Sequence, residues 1–412
     1  MNIAEIVGST LESLREARIL AGLYVSVSAQ LQKTGLEDYA DSIEKANKLL
    51  SSRKNSDKHR GESELHLAEQ KYNRYLVGSH PKALSTSLFI YQFSIFDAFF
   101  GRLLSEVYSR KPELVNSIEK SLTIRDISEF KSIKEIKSNL IQKEIESLRR
   151  DSYIDQFKSM ESKFGIKTLR AYENWSIFIE AAQRRHLLTH CDGEVSQQYI
   201  TILKSLDENP KYVVGDKVGI DPEYFNKVND VISETCIKLA LILWRKFWDK
   251  EKEDQNKLFN YLMTSAIENG QYELAISLGT FSDAYKISED LYRRMIKINL
   301  AQAYKWNEEI DNCNKILDEE DWSACTNEFN LCVSVLRDDF ESASKLMIVI
   351  GKSSDIMDKS SYLTWPIFKK FTEEKDFKDA YKKIYRQDFM AAKTTAVKKE
   401  QKEANKASKR TK

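Results

Sequence analysis

The sequence predicts an all-α protein, and three observations support that fold class. Only 13 of the 412 residues are glycine and 5 are proline, so residues that interrupt helices are scarce. Lysine, glutamate, leucine, isoleucine and alanine, most of which favour helices, are abundant. Apolar residues recur at helical spacing, and the chain length suggests two to three domains. We therefore expect a helical bundle followed by an α-solenoid.

The first half of the chain predicts long helices around one very apolar segment. Residues 1–78 form an N-terminal region of charged helices, with a polar loop at 51–62. Residues 84–108 predict the most apolar helix, in which Asp97 is the one acid before the last turn. Because this helix is hydrophobic almost all round, we expect it at the centre of a domain that covers 79–250.

The remainder of that domain contains two further long helices. After a polar helical stretch, a helix is predicted at 171–190, and a long last helix runs from about 222 to 250. Between them, the irregular stretch 192–220 contains Tyr212-Val213-Val214-Gly215-Asp216, which is compatible with a short hairpin.

Residues 251–388 contain a repeated helix–turn–helix pattern. Aromatic residues mark its four turns and are spaced 34, 34 and 37 residues apart: Tyr272, Trp306, Phe340 and Phe377. The first copy, NGQYELAI, resembles the turn and second helix of tetratricopeptide (TPR) repeats, although no copy ends in the usual proline. The resemblance implies a TPR-like array whose concave surface binds a protein partner.

Composition limits the classes of function. Five cysteines form no CxxC pair, which predicts a reducing, cytoplasmic compartment. The N-terminus lacks the basic and apolar regions of a secretion signal, and no apolar run is long enough to span a membrane, so no membrane partner is expected. The formal net charge of +1 does not indicate nucleic-acid binding by the whole chain, but a local basic patch is compatible with it.

Residues 389–412 form a basic tail. From residue 391 onward the tail carries eight basic and two acidic residues and no large apolar side chain. A segment of this composition is expected to be disordered or to form a fraying helix. It either contacts RNA through its charge or keeps the chain soluble.

The residues that carry candidate chemistry lie at the end of the predicted helix 171–190. The run Arg184–His190 contains two arginines and two of the chain's five histidines, and Gly193 and Val195 follow it. Arginine offers a fixed positive charge, and histidine offers a proton carrier near neutral pH. Together they can act on RNA without a metal, so this cluster is the leading candidate for a site.

Arg185 and His190, in the context R-x-x-x-x-H-x-x-G-x-V, resemble the signature of HEPN domains (higher eukaryotes and prokaryotes nucleotide-binding). The resemblance covers roughly residues 80–250, where an apolar helix carrying Asp97, a helix ending in the motif, an irregular segment and a long last helix follow the family's order. One residue departs from the pattern, because the family often has Asn or Asp after the arginine and this chain has His186. That departure leaves the hydrogen-bond pattern of the site open.

The resemblance implies a metal-independent endoribonuclease without a cofactor. His190 would act as general base on a ribose 2′-OH or as acid on the leaving 5′-oxygen, and Arg185 would stabilise charge on the phosphoryl oxygens. The products would be a 2′,3′-cyclic phosphate and a 5′-OH. In the family two such helices face each other, which implies a homodimer. These domains are common in bacterial anti-phage, abortive-infection and toxin systems that cut tRNA or other RNA.

Three further residues are assigned supporting roles. Arg184 is the candidate for contact with an RNA phosphate, with a solvated charge as the alternative. Asp97 would orient His190 or bind Arg185, and a buried acid with satisfied hydrogen bonds is an equal alternative. His186 completes the cluster as the residue that departs from the family pattern.

Other interpretations of the cluster remain open. Arginine and histidine near a helix C-terminus often only cap its last carbonyls. His186 and His190 are spaced like zinc ligands and adjoin Cys191, but no clear fourth ligand is evident, so no metal is predicted. For the whole chain, the alternative function is a non-catalytic scaffold or adaptor that dimerises through its HEPN-like domain and binds a protein through its repeats.

Overall fold

A computed structural model of the chain describes residues 2–75, 80–118, 122–167, 169–206, 208–287 and 289–390. These residues form α-helices, short 3-10 helices and a π-helical turn, and they include no β-strand. The predicted all-α fold class is therefore confirmed. The predicted boundary between residues 78 and 79, and the predicted tail from residue 391 onward, lie outside the described residues.

The chain divides into two compact units, Met1–Asp249 and Lys250–Lys412. The helices of the first unit, labelled in chain order, are α1 (Ile3–Leu20), α2 (Ser26–Leu50), α3 (Asn55–Tyr75), α4 (His80–Arg110), α5 (Ile124–Ser128), α6 (Ile133–Arg150), α7 (Tyr153–Phe164), α8 (Trp175–His190), α9 (Gln197–Lys204) and α10 (Pro222–Phe247). Those of the second unit are α11 (Lys252–Glu268), α12 (Tyr272–Tyr285), α13 (Asp290–Trp306), α14 (Ile310–Asp318), α15 (Asn327–Leu336), α16 (Phe340–Ile350), α17 (Ser361–Thr364) and α18 (Lys375–Tyr385).

Helix α4 lies at the centre of the first unit. It packs against α1, α6, α8 and α10, because apolar side chains cover most of its circumference. Its buried aromatic residues include Phe89, Phe93, Phe96, Phe99 and Phe100. The buried Asn229 of α10 donates a hydrogen bond to the Leu14 carbonyl at 3.0 Å, which ties α1 into the same core.

Among the described helices, Pro81–Arg110 is the segment long and apolar enough to cross a membrane by length and composition. The core helix of a water-soluble protein passes the same test. Here the phenylalanines of α4 are buried by neighbouring helices of the first unit, and 39% of the most apolar 18-residue stretch of the helix is buried in all.

The loop predicted at 51–62 is shorter than expected. Helix α3 already begins at Asn55 and packs along α2 as an antiparallel hairpin. Gly61 permits this close approach, since a Cβ atom there would lie 2.8 Å from the Leu50 Cγ. The polar sequence was read as a loop because its helical state depends on packing against α2, which local composition does not reveal.

The segment after α8 is held by a short backbone pairing. Glu194 and Lys217 form an isolated antiparallel bridge where a hairpin was predicted, without strands on either side. The Gly193 carbonyl accepts a 2.9 Å hydrogen bond from Val218, and a Cβ at Gly193 would lie 2.8 Å from the Val218 oxygen. Gly193 also has φ of +75°, so both its conformation and its close neighbour require glycine.

The second unit contains a series of helical hairpins. Helices α11 and α12, α13 and α14, and α15 and α16 form antiparallel pairs, and the first helices of successive pairs pack side by side. The three turns share one hydrogen bond, in which the residue before the second helix donates to a carbonyl five residues earlier: Gln271 to Ala266, Glu309 to Tyr304, and Asp339 to Ser334.

The hairpins do not follow the predicted 34-residue spacing. Tyr272 and Phe340 begin the second helices of their pairs, whereas Trp306 ends the first helix of its pair. The equivalent position in the middle hairpin is Ile310, so the first two spacings become 38 and 30 residues. The small buried residue three positions later is Cys313, in place of the alanine found in the other two hairpins. Trp306 is an aromatic residue near a turn, like Tyr272 and Phe340. It lies at the end of a first helix, however, and not at the start of a second one.

Candidate functional site

The C-terminal half of α8 presents three different surfaces. Its apolar side is anchored by Leu187, which is buried with Val195 and Tyr199 in a small core beside the loop. Because successive residues of a helix are rotated by about 100°, the neighbouring Arg184 and Arg185 point to different sides of α8. His186 and His190 are four residues apart and therefore share a third, exposed side.

His186 and His190 form an exposed pair at the end of the helix. The centroids of their imidazole rings are 4.9 Å apart, and the ring planes are inclined by 52°. Partial burial, followed by the charges of His190 and Arg185, lowers the pKa of His186 below its ordinary value. The neutral form of His186 is thereby favoured near neutral pH, and a neutral imidazole can accept a proton.

Arg185 lies beside this pair and is half-buried. Its Nε is shielded from solvent and has no hydrogen-bond partner among the described residues. Its charge acts on His186 and, on the other side, on Asp97 and Tyr153. The guanidinium therefore connects the histidine pair electrostatically to α4 and α7.

Asp97 accepts its hydrogen bond from the Tyr153 hydroxyl, at 2.8 Å. Burial raises the pKa of Asp97, while the Tyr153 hydrogen bond and the charges of Arg185 and Arg149 act in the opposite direction. Of the roles considered for this acid, the structure supports a satisfied carboxyl near Arg185. It does not place Asp97 in hydrogen-bond contact with His190.

Arg184 requires a correction. It was the candidate for contact with an RNA phosphate, but only 7% of its surface is exposed. Its Nε donates to Glu180 at 2.9 Å and its Nη1 donates to the Gly219 carbonyl at 3.1 Å. The guanidinium also lies 3.9 Å from the centre of the Tyr224 ring. These contacts commit Arg184 to the fold, because it faces α10 instead of the solvent.

Glu180 is the centre of this second cluster, which sequence patterns did not identify. Its Oε1 accepts a 2.6 Å hydrogen bond from the Tyr199 hydroxyl, and its Oε2 accepts one from Tyr224. Burial raises the pKa of both tyrosines, and the Glu180 charge adds to that effect. Glu180, Tyr199 and Tyr224 come from α8, α9 and α10, so their spacing in the sequence does not link them. Only Arg184, four residues after Glu180 on the same helix, could be linked to it from the sequence.

A cavity of about 410 Å³ lies beside the Glu180 cluster, and Arg184 and Tyr212 line it. Charged residues of both signs surround it: Lys211, Lys227, Glu208, Asp221 and Glu223. This mixture gives the cavity no strong preference for an anion.

A metal site at the end of α8 would need further ligands beside His186 and His190. Within the described residues, no group of three or more His, Cys, Asp and Glu side chains is arranged to hold a metal ion. His186 and His190 supply two imidazoles, and Cys191 is half-buried next to them as a free thiol.

Comparisons of the chain with protein-family models, curated proteins and solved structures find no match.

Proposed function

We propose that this chain is a metal-independent endoribonuclease whose reacting groups lie at the C-terminal end of α8. One observation carries the proposal: His186 and His190 are exposed and adjacent, and the half-buried Arg185 beside them keeps an Nε without a hydrogen-bond partner. Side chains that only capped the helix would donate to its last carbonyls. No hydrogen bond among the described residues ties these three side chains to those carbonyls, and the two exposed imidazoles can meet a ligand.

The chemistry assigns each group a step. The imidazole of His190 removes the proton from a ribose 2′-OH, and the 2′-oxygen attacks the adjacent phosphorus. The bond from phosphorus to the 5′-oxygen breaks, and that oxygen takes a proton from an acid on the opposite side of the phosphorus as it leaves. Arg185 stabilises the negative charge that develops on the phosphoryl oxygens. The products are a 2′,3′-cyclic phosphate and a 5′-OH, with no metal or cofactor required.

The spacing of the two imidazoles supports a dimeric site. In-line displacement needs the base and the acid on opposite sides of the phosphorus, each within about 3 Å of its oxygen. Rings whose centroids are 4.9 Å apart are too close to enclose a phosphate between them. His186 and His190 would therefore serve the same side, with the neutral His186 assisting His190. The opposite group would come from α8 of a second copy in a homodimer.

The helical hairpins of the second unit fit a sensor role in this proposal. Stacked helix pairs resemble TPR-like arrays, which bind protein partners. We place the protein in the cytoplasm of bacteria, in anti-phage, abortive-infection or toxin–antitoxin defence, where a partner bound by the array would control cleavage of tRNA or other RNA. This part of the proposal rests on the resemblance of residues 80–250 to HEPN domains.

Cleavage of RNA by the purified chain in EDTA tests the proposal. We expect new 5′-OH ends and 2′,3′-cyclic phosphates when total RNA or tRNA is incubated with the full chain and its ends are sequenced. His190→Ala and Arg185→Ala should lower the cleavage rate at least about 100-fold, the range lost with one general base or one charge-stabilising group. Arg60→Ala and His66→Ala, at exposed positions of α3, are matched controls that should keep full activity.

Two results would contradict the nuclease. Full activity of His190→Ala would remove the residue that carries the chemistry. No cleavage by the wild type, alone or with lysate from phage-infected cells, would favour the non-catalytic adaptor. One observation already supports that second candidate, since Arg185 is electrostatically coupled to Asp97 and could simply hold α4 and α8 together.

A further inference from the structure

The second unit contains a cavity that the nuclease proposal does not use. Its volume is about 420 Å³, which lies within the range of small-molecule sites. Helices α11, α13 and α15 supply most of its walls, and the lining is largely apolar: Met295, Ile298, Phe329, Ile356, Trp365 and Ile367. A cavity of this size and composition favours a compact apolar occupant.

Two features limit the shape of that occupant. The 3-10 turn Pro366–Phe368 packs against both α11 and α15, the first and last of the three wall helices. Trp365, Pro366 and Ile367 therefore close one side of what would otherwise be an open groove between the hairpins. A through-going helix or extended peptide would have to displace this turn, whereas a small molecule would not.

Gln302 supplies the polar group with which a ligand in this cavity would form a hydrogen bond. It lines the cavity, is 98% buried, and its Nε2 has no hydrogen-bond partner in the described part of the chain. One turn earlier on α13, Asn299 donates to Asn260 at 2.9 Å and to Thr264 at 3.3 Å, so that amide is already engaged. A buried donor without a partner costs free energy that an acceptor on a ligand would recover.

The two charged groups that line the cavity already have partners in the protein. Lys257 is paired with Glu253 at 2.6 Å. Burial raises the pKa of Glu328, but hydrogen bonds that include those from Ser354 and Thr326 outweigh it and hold the pKa below its ordinary value, so the carboxylate stays charged. Because both groups are engaged within the protein, the cavity favours a neutral ligand.

We propose that the second unit binds a neutral, compact and mainly apolar small molecule, whose hydrogen-bond acceptor pairs with the Gln302 amide in this cavity. The site is independent of the RNA chemistry at α8. It gives the hairpin array a small-molecule ligand in addition to any protein that binds its outer surfaces.

A fluorescence titration of the full chain with prodan tests this site. Prodan is a neutral naphthalene with one ketone, and its emission shifts to shorter wavelength in apolar surroundings. We expect a saturable shift with one probe per chain. Thr264→Trp, which fills the cavity from α11, should weaken prodan binding at least tenfold. The matched control Thr280→Trp, on the exposed side of α12, should leave the affinity within twofold of the wild type.

Gln302→Leu tests the hydrogen bond separately from the apolar contacts. The comparison probe is 2-(dimethylamino)naphthalene, which has the same ring system but no ketone. We expect the ratio of the two affinities to fall roughly three- to tenfold in the variant, the effect of one lost hydrogen bond. Circular dichroism of each variant confirms that the helices are retained.

Clear results would overturn the inference. A non-saturable shift, or equal prodan binding by Thr264→Trp and wild type, would mean that the probe lies on the surface and not in the cavity. An unchanged affinity ratio in Gln302→Leu would contradict the acceptor requirement. RNA cleavage is not part of either readout, so failure here leaves the nuclease proposal to its own test.

Discussion

Arg184 and Arg185 are adjacent on α8, and their guanidinium groups have different surroundings. Arg184 is bound by Glu180 and the Gly219 carbonyl and is covered by the Tyr224 ring. Arg185 is half-buried between the histidine pair and Asp97, and its Nε has no hydrogen-bond partner. The same side chain therefore makes several contacts that hold the fold at one position and, among the described residues, no side-chain hydrogen bond at the next, where we propose that it acts on RNA.

Helix α8 thus combines a structural anchor with the end at which we propose catalysis. The Glu180 cluster joins α8 to α9 and α10 and so holds the axis of the helix. The side chains of the proposed site are one turn further, where Gly193 and the loop paired with Val218 end the helix. A rigid support with exposed groups at its end is the arrangement that preorganised catalysis needs.

The largest expected effect comes from making the same substitution at both arginines. Arg184→Met should lower the free energy of opening of α8 by about 3 kcal/mol, because it leaves the Glu180 carboxylate, 17% exposed, without its cation. Arg185→Met should change that free energy by less than about 1 kcal/mol, since no hydrogen bond is lost. Hydrogen exchange of the α8 backbone amides measures both values in the full chain.

Exchange resolved by helix is preferable to a single melting curve because the chain has two compact units. Amides of α13 in the second unit are an internal control and should exchange alike in both variants. If Arg185→Met destabilised α8 as much as Arg184→Met, both arginines would be structural. The contrast between them would then be wrong.

Removing one hydroxyl group from the Glu180 cluster is expected to have a smaller effect on the free energy of opening of α8. Tyr199→Phe removes the 2.6 Å hydrogen bond to Glu180, and we expect it to lower the free energy of opening of α8 by about 1.5 kcal/mol. Tyr212→Phe is the matched control, because its ring faces Arg184 at 5.5 Å and phenylalanine keeps that contact. An equal loss in both variants would show that the Glu180 hydrogen bond is not what holds α8.

The helical architecture could be predicted to a large extent, because helix periodicity and the scarcity of breakers are local signals. The long last helix of the first unit was expected from about residue 222, and α10 begins at Pro222 with Asp221 as its cap. The register of the hairpins could not be predicted in the same way. Trp306 has the aromatic type and the 34-residue spacing of the predicted repeat. The structurally equivalent residue is Ile310, whose residue type is not distinctive and whose position is defined by its turn.

The position of the candidate site could be predicted from the sequence. Which of its side chains are buried and which are exposed could not. Gly193 indicates that a helix ends just before it, which places His190 at the end of that helix. In the structure, α8 ends at His190. Which of Arg184 and Arg185 is exposed depends on which side of α8 faces α10. Two adjacent residues of the same type do not indicate this. Glu180, Tyr199 and Tyr224 meet only through tertiary packing, so no spacing rule could join them.

The smallest expected effect concerns the pKa of His186. Partial burial and the charges of His190 and Arg185 lower it, so removing one of those charges in Arg185→Met should raise the pKa toward its ordinary value of 6.5. A titration of the His186 imidazole by NMR measures the change. Arg150→Met, an exposed charge at the end of α6 that does not act on His186, is the control and should leave the pKa where it is.

The same shift determines how the end of α8 responds to pH. Because the folded chain holds the pKa of His186 below 6.5, protonating this residue is harder in the folded state than in the unfolded state. Its contribution to stability is therefore complete above pH 6.5 and is lost as the pH falls from 6.5 through the folded pKa. His186→Gln should reduce the loss of α8 protection in that interval, measured by hydrogen exchange. An unchanged pH dependence in His186→Gln would mean that neither burial nor the neighbouring charges lower the pKa of His186 in the folded chain, and Arg185 would lose its electrostatic link to the histidine pair.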